Sequence, residues 1–400
     1  MKILYYLKMV GISTCILFVL IQLFSQTEDD IKKMMEEEQK RLKQIQDETL
    51  QYQQQVADEM KYYQEQISKE YEAEEQRQKQ LLEAMEKEIL KKWEEFRYNS
   101  KEEVVDYDKD LNARGSVNFK EGVVEVEVIT EADDPQSKQK AEERIQKKLN
   151  DLVNKEGDDQ QPLLKNQLKT ESGIKVSSSN SESFSREVLE KKNISETKYK
   201  SDDGIIRTKY TVKIPMVPNH IEVRASRFKD DVLRQSKRFN IDPKVAFAIM
   251  HSESYFNPQA RSYAPAYGLM QLVPKSGARD AYIYIYKKDK LLRPGYLYIP
   301  ENNIELGCAY LSKIRHVFYF GDIKDDSKAY YCTICAYNTG PGNVAKALTG
   351  TSNLNNATTV VNSHNSDWVY NKLLRNLPYA ETKKYLRNVN ERTKIYEGWI

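Results

Sequence analysis

Residues 28–97 contain neither glycine nor proline, and Glu, Gln and Lys dominate them. A stretch with no chain breaker has no local reason to turn, so one long helix is expected, and seventy residues would extend roughly 105 Å. A rod of that length cannot fold back into a compact core. It divides the chain into what lies before it and what it carries. Apolar residues recur at spacings of three and four, as in Leu42, Ile45, Tyr52, Val56, Met60, Tyr63, Ile67 and Tyr71, and the register slips by one position near Met60. Two expectations follow for residues 26–99. One is a coiled-coil stalk that self-associates; the other is a solvated single helix or partly disordered spacer.

The chain before the rod opens with Lys2 and Lys8 and then runs uncharged from Met9 to Phe24. This pattern predicts an export segment at residues 1–25, either cleaved near Ser25 or retained as a membrane anchor with its positive end in the cytoplasm. The rest of the protein is then expected on the far side of the membrane, in the periplasmic part of the cell envelope. Cys15 sits inside the apolar run, whereas a lipidated cysteine normally follows it. The charges balance, 62 basic against 60 acidic residues, so no overall field argues for nucleic acid.

Beyond the rod the pattern changes twice. Between residues 100 and 222, Lys120-Glu121-Gly122 separates two alternating runs and predicts a β-hairpin. A helix is expected over 135–154, with Ala141, Ile145, Leu149 and Leu152 as its stripe. The polar stretch 157–190 reads in part as loop, and 208–216 as a strand returning to the first sheet. This is a small α+β domain. Residues 223–400 read as all-α, with helices near 222–239, 243–252, 268–280, 301–317, 327–337, 342–347, 366–374 and 380–391. The fold class is therefore mostly α.

Chemistry concentrates in Asp242 to Gln271. Asp242 is a good N-cap and Pro243 suits the first helical turn. Ala246, Ile249 and Met250 form an apolar stripe, and Glu253 continues it. A carboxyl in that position is expected to be partly buried, to hold its proton near neutral pH and to serve as a glycosidic acid. On the local pattern alone, a capped or salt-bridged glutamate at a helix end is the leading reading, because periodicity does not establish burial. His251 should face away from Glu253.

Five segments then arrive in a distinctive order: the Glu253-Ser-Tyr-Phe-Asn-Pro run, Gly268-Leu-Met-Gln, Asn302-Asn-Ile-Glu-Leu-Gly, Ala336-Tyr-Asn-Thr-Gly-Pro-Gly, and Leu377-Pro-Tyr-Ala-Glu-Thr-Lys-Lys-Tyr385. In this order the region 223–400 resembles the catalytic domain of the lytic murein transglycosylases, which have a goose-type lysozyme fold. The stretches from Val105 to Phe119 and from Tyr210 to His220 are similar to the membrane-bound lytic murein transglycosylase C family. The resemblance implies cleavage of peptidoglycan glycan strands between N-acetylmuramic acid and N-acetylglucosamine. Glu253 would protonate the glycosidic oxygen and then deprotonate the 6-hydroxyl, assisted by the muramic N-acetyl group, to close a 1,6-anhydro ring. No cofactor or metal is implied. Ser262, Gln271, Tyr337, Asn338 and Tyr385 match positions that line the sugar site. Apart from the resemblance, Tyr337 also fits a core aromatic, Gln271 a helix-capping amide and Tyr385 a packing residue.

Other readings keep their place. Glu301, Glu305 and Glu381 lie near expected helix starts and read as structural. Cys332 and Cys335, with Cys308, read first as buried small side chains, then as a disulfide involving Cys308, and last as a metal site. A hydrolytic lysozyme of the same fold would need a carboxylate such as Asp280 or Asp289 to activate water. An envelope scaffold that binds glycan without cutting it is the alternative outside enzymology.

Overall fold

The structure, a computed structural model, describes residues 28–262, 265–318 and 320–399. The export or anchor segment expected at residues 1–25 lies outside the described residues. Among the described residues no helix is long and apolar enough to cross a membrane. The chain divides into two units, Met1–Leu82 and Glu83–Ile400.

Helix α1 runs over Glu28–Leu90. Along it, polar side chains bond one turn apart, Gln44 to Glu48, Gln54 to Asp58 and Ser68 to Glu72. Each such pair adds a few tenths of a kcal/mol. Of the apolar stripe, Tyr52, Met60, Tyr63 and Ile67 are exposed.

The second unit begins with a five-stranded antiparallel sheet in the order β1-β2-β3-β5-β4. Its strands are β1 (Glu103–Tyr107), β2 (Ala113–Asn118), β3 (Val123–Glu131), β4 (Ser195–Lys200) and β5 (Ile206–Pro215). Strands β2 and β3 form the expected hairpin, Val117 opposite Val124, and β5 returns to pair with β3. Helix α2 (Ser137–Asn154) lies across β2 and β3 and packs against α3 (Ser181–Lys191). Val124, Val126 and Val128 of β3 bury against Ile145, Leu149 and Leu152 of α2. Gly115 permits that approach, since a Cβ there would meet Leu152 Cδ1 at 2.4 Å.

On the opposite face of β3 the alternating Glu125 and Glu127 do not meet open solvent. Arg97 reaches Glu125 at 2.6 Å and Glu127 at 3.1 Å, and it also bonds Glu103. Arg114, fully buried, bonds Glu127 and lies 4.6 Å from the Trp93 ring. The segment between α1 and β1 is thus fastened across the sheet by charge pairs sheltered from water, where pairing is strong and loss of one partner is costly.

Three departures from the sequence expectations concern this domain. Strand β4 carries no apolar alternation because nearly all its residues are exposed. β1 is too short to show a period. Helix α3 runs through the serine-rich stretch, burying only Phe184 and Val188 besides Ser181 and Ser185.

The remainder is helical. Helices α4 (His220–Ser226) and α5 (Lys229–Phe239) replace one expected helix, with a break at Arg227 and Phe228. Helix α6 (Pro243–Ser254) is the central element, capped by Asp242, whose side chain accepts from the Lys244 N–H. It is not amphipathic in the expected sense. Val245 through Met250 are all buried, since α5, α14 and the C-terminal turn surround it. Then come α7 (Arg279–Tyr286), α8 (Pro294–Tyr298), α9 (Pro300–Ser312), α10 (Asp326–Thr339), α11 (Pro341–Thr349), α12 (Leu354–Ser363), α13 (Ser366–Asn376) and α14 (Ala380–Thr393), with a 3-10 turn at Lys394–Trp399. The helix expected over 268–280 is instead a tight loop, a π turn at Pro274–Ala278 and then α7. Gly268 at φ +77° and Gln271 at φ 47° hold left-handed backbone that no helix can contain. Helices α8 and α12 were not anticipated.

The sheet domain and the helical domain share one buried cation. Arg224 of α4 is fully buried and donates to Phe119 O, to Gln167 Oε1 at 2.6 Å and to Tyr255 O at 2.9 Å. Burial pulls its pKa down to about 9, which leaves it cationic at neutral pH. Replacing it with an apolar side chain would strand three acceptors at once. Arg224→Leu is expected to cost about 3–5 kcal/mol, read by urea unfolding of the full chain.

Candidate active site

Glu253 is the penultimate residue of α6 and only 6% exposed. The helix stops directly after it, with Tyr255 at φ 50° and Phe256 at φ 60°. Two consecutive left-handed residues that are not glycine are costly, of order 1–3 kcal/mol each, and persist only when their surroundings enforce them. The enforcement is visible. Arg224 holds the Tyr255 carbonyl, Arg392 lies 5.2 Å from the Tyr255 ring, and Phe256 is fully buried against Phe247 and Tyr396.

Burial raises the pKa of Glu253 above the ordinary glutamate range. The opposing influences are Lys101, whose Nζ lies 3.5 Å from Oε2, and the Tyr385 hydroxyl. Glu381, in the first turn of α14, adds like-charge repulsion in the same direction as burial. Tyr385 is buried, and its hydroxyl faces the carboxylate without a hydrogen bond of normal geometry to any group.

The loop 267–271 is bracketed by α9. Asn303, fully buried, accepts from the Met270 N–H at 2.8 Å and donates to Tyr267 O and Leu297 O at 2.9 and 2.7 Å. Gly268 and Gly307 make the fit possible. A Cβ on Gly268 would lie 2.3 Å from Leu297 O, and one on Gly307 would lie 2.1 Å from Met270 Sδ. Two further bonds tie this loop to the acid's own helix and to α10. Ser254 Oγ donates to Leu269 O at 2.7 Å, and Tyr337 Oη donates to Met270 O at 2.7 Å.

Each residue singled out from the sequence has a definite place. Gln271 is buried; its amide donates to Ala260 O and Gly268 O, both at 3.0 Å, and its oxygen Oε1 is left without a partner. Tyr337 packs on Tyr310 with ring centroids 5.4 Å apart, and burial followed by the charge of Glu253 raises its pKa. Asn338 Oδ1 accepts from Thr382 Oγ1 at 2.7 Å, joining α10 to α14. Ser262 stands at the foot of the loop, its N–H donating to Ala266 O. Thus Tyr337 and Tyr385 lie near enough to Glu253 for its charge to add to burial in raising their pKa values, Gln271 lies in the loop that Tyr337 bonds, and Asn338 serves the helix junction.

Glu301 pairs with Arg234 and Glu305 with Arg238. Asp289 is engaged by Arg279 and Asp280 by Lys313. His251 turns toward Tyr396, 3.0 Å from its hydroxyl, and burial lowers its pKa to about 3. Cys308, Cys332 and Cys335 are buried free thiols whose pKa values burial raises. Among the described residues no group of three or more His, Cys, Asp or Glu is placed to hold a metal ion.

Sequence reasoning missed Lys101 and the particular roles of Ser254, Asn303 and Gly307. Those three lie inside motifs quoted above, but only the packing of α6 and α9 against the loop shows which of their residues act. Lys101 carried no signal at all.

Comparison with known proteins matches two parts of the chain to family models. Residues 232–360 match the model of the transglycosylase SLT domain, and residues 71–227 match the N-terminal domain of membrane-bound lytic murein transglycosylase C. Proteins named membrane-bound lytic murein transglycosylase C are among the relatives. One from Klebsiella pneumoniae is 37% identical over 50% of this chain and 55% of its own length; one from Edwardsiella ictaluri is 37% identical over 47% and 51%. One from Cronobacter sakazakii is 36% identical over 50% and 55%. The chain spans about half the length of these curated relatives.

Two outcomes test the site as built. Asn303→Ala leaves the Met270 N–H and two carbonyls unpaired and is expected to cost about 2–4 kcal/mol in urea unfolding. Glu253→Gln tests the desolvation. A raised native pKa means that Glu253 supports stability at acid pH and that this is lost as pH rises through the native value. The glutamine variant should therefore melt above the wild type at pH 8, and the gap should shrink toward pH 4.

Proposed function

We propose, for a chain that carries the domain pair of the membrane-bound lytic murein transglycosylases C, that it cleaves peptidoglycan glycan strands by intramolecular transglycosylation. The observation that carries this reading is a carboxyl desolvated at the end of α6 beside a loop whose buried Gln271 oxygen is unpaired. Glu253 in its protonated form donates to the oxygen linking N-acetylmuramic acid to N-acetylglucosamine, and the C1–O bond breaks. The acetamido oxygen of the muramic residue closes on C1 and holds its positive charge. The Glu253 carboxylate then takes the proton of the 6-hydroxyl, whose oxygen attacks C1, breaks the bond from C1 to the acetamido oxygen and so closes the 1,6-anhydro ring while the N-acetyl group is restored.

In this reading Gln271 Oε1 accepts an N–H from a substrate amide, because an unpaired buried acceptor gains most from a donor that reaches it. Tyr337 acts through the loop, since its proton is committed to Met270 O. Tyr385 places a neutral hydroxyl against the carboxylate. Ser262 forms part of the wall of the sugar site, and Asn338 supports that wall from the α10–α14 junction. The division into a stalk at 26–99, an α+β domain at 100–222 and a catalytic domain at 223–400 fits this activity. Anchorage or export through residues 1–25 would place the head in the periplasm, where murein is, and the exposed residues of α1 offer a surface for self-association.

A hydrolytic reading draws on one observation, the like charge of Glu381 acting on Glu253. Products separate the two. Mass spectrometry of murein digested by the full chain is expected to show 1,6-anhydromuropeptides; reducing-end muramic acid would establish hydrolysis instead. Glu253→Gln should lower the rate at least about a hundredfold, the ordinary share of a general acid. The rate should fall as pH rises through the raised pKa of Glu253.

A further inference from the structure

We propose that Lys101, contributed by the sheet domain, is the charge partner of Glu253, a positioning residue that stabilises its carboxylate each time the proton leaves. The inference rests on the transglycosylase reading and deepens it.

The geometry begins with how firmly residue 101 is held. Arg97 is fixed by Glu103, Glu125 and Glu127 on the sheet. Asn99 Oδ1 accepts the Val105 N–H at 2.7 Å, and Ser100 Oγ accepts the N–H groups of Glu102 and Glu103. Glu102 pairs with Lys120 at 3.2 Å, and its carbonyl accepts the Phe119 N–H. Phe119 is also the residue whose carbonyl Arg224 holds. Lys101 therefore stands at the tip of a turn with its backbone tied on both sides. From there it crosses to the helical domain. Ser100 O accepts the Arg261 N–H at 3.4 Å, and Lys101 Nζ reaches Glu253 Oε2 at 3.5 Å.

The charged and titratable groups acting at this carboxylate come from three elements. Lys101 arrives from the segment before β1, Tyr337 from α10, and Glu381 and Tyr385 from α14. Arg392 of α14 acts on Tyr385 but bonds Ser252 Oγ and Tyr255 Oη. Among these, Lys101 is the one cation whose ammonium meets the carboxylate. Burial and Glu381 favour the protonated acid, and Lys101 opposes both. A carboxyl that must give a proton and then accept one needs neither form to be out of reach. The lysine is 38% exposed, so solvent screens its effect in part.

The test uses the full chain with Lys101→Met, Lys101→Arg and a control at an exposed site, Lys109→Met. In Lys101→Met the carboxylate loses its partner, the pKa of Glu253 rises, and the alkaline limb of the murein-cleavage rate should move up by about half to one pH unit. Lys101→Arg and Lys109→Met should leave that limb where it is. A second readout needs no turnover: the melting-temperature gap between a protein and its Glu253→Gln counterpart widens as pH rises and stops widening at the native pKa of Glu253. That levelling-off should move to higher pH by the same amount in the Lys101→Met background. An unmoved levelling-off with a folded protein overturns the proposal. If the wild type releases no anhydromuropeptides, the transglycosylase reading fails, and the melting comparison still decides the role of Lys101.

Discussion

A single buried guanidinium fixes the relation on which the site depends. Arg224 satisfies a carbonyl from the β2–β3 turn, an amide from the loop after α2 and the carbonyl that ends α6. A cation sealed from water is tolerated only when its donors are bonded, because the desolvation of an unpaired charge amounts to several kcal/mol. The interface between sheet and helices is therefore close to all-or-none. Its geometry passes into the site by two routes. One is the left-handed turn at Tyr255 and Phe256, which ends α6 just beyond Glu253. The other is the β2–β3 turn, whose Phe119 also anchors the backbone of Glu102 beside Lys101.

Around Glu253 the local chemistry is a contest between solvation and charge. Burial and Glu381 favour the neutral acid, while Lys101 and the Tyr385 hydroxyl favour the carboxylate, and burial prevails. The neighbouring loop is organised by the opposite principle, full satisfaction of backbone groups. Asn303 alone meets one N–H and two carbonyls, Ser254 and Tyr337 each meet another, and glycines at 268 and 307 allow the contact. Against that background the unpaired oxygen of Gln271 is a departure from full satisfaction.

How much of this was legible varied with the range of the interaction. Local and periodic features were readable: the Asp242 cap, the β2–β3 hairpin, the α2 stripe and the burial of Glu253 three and four residues beyond Met250 and Ile249. Features lacking a period were missed. Strand β4 is exposed, and α3 buries only two large apolar side chains in a serine-rich run, so neither raised a signal. The loop at 268–271 was misread as helix because its backbone is dictated by Asn303, a residue more than thirty positions away.

The long breaker-free helix, the order of a sheet domain and a helical domain, and the candidacy of Glu253 among its neighbouring motifs were all readable along the chain. Those follow from spacing along the chain and from side-chain chemistry. Only the tertiary structure decided the electrostatic state of that acid, because its partners come from elsewhere. Lys101 stands 152 positions from Glu253, in a turn like many charged turns, and nothing in its neighbours along the chain foretells the contact. Coulomb energy depends on distance and dielectric, and both are set by packing alone.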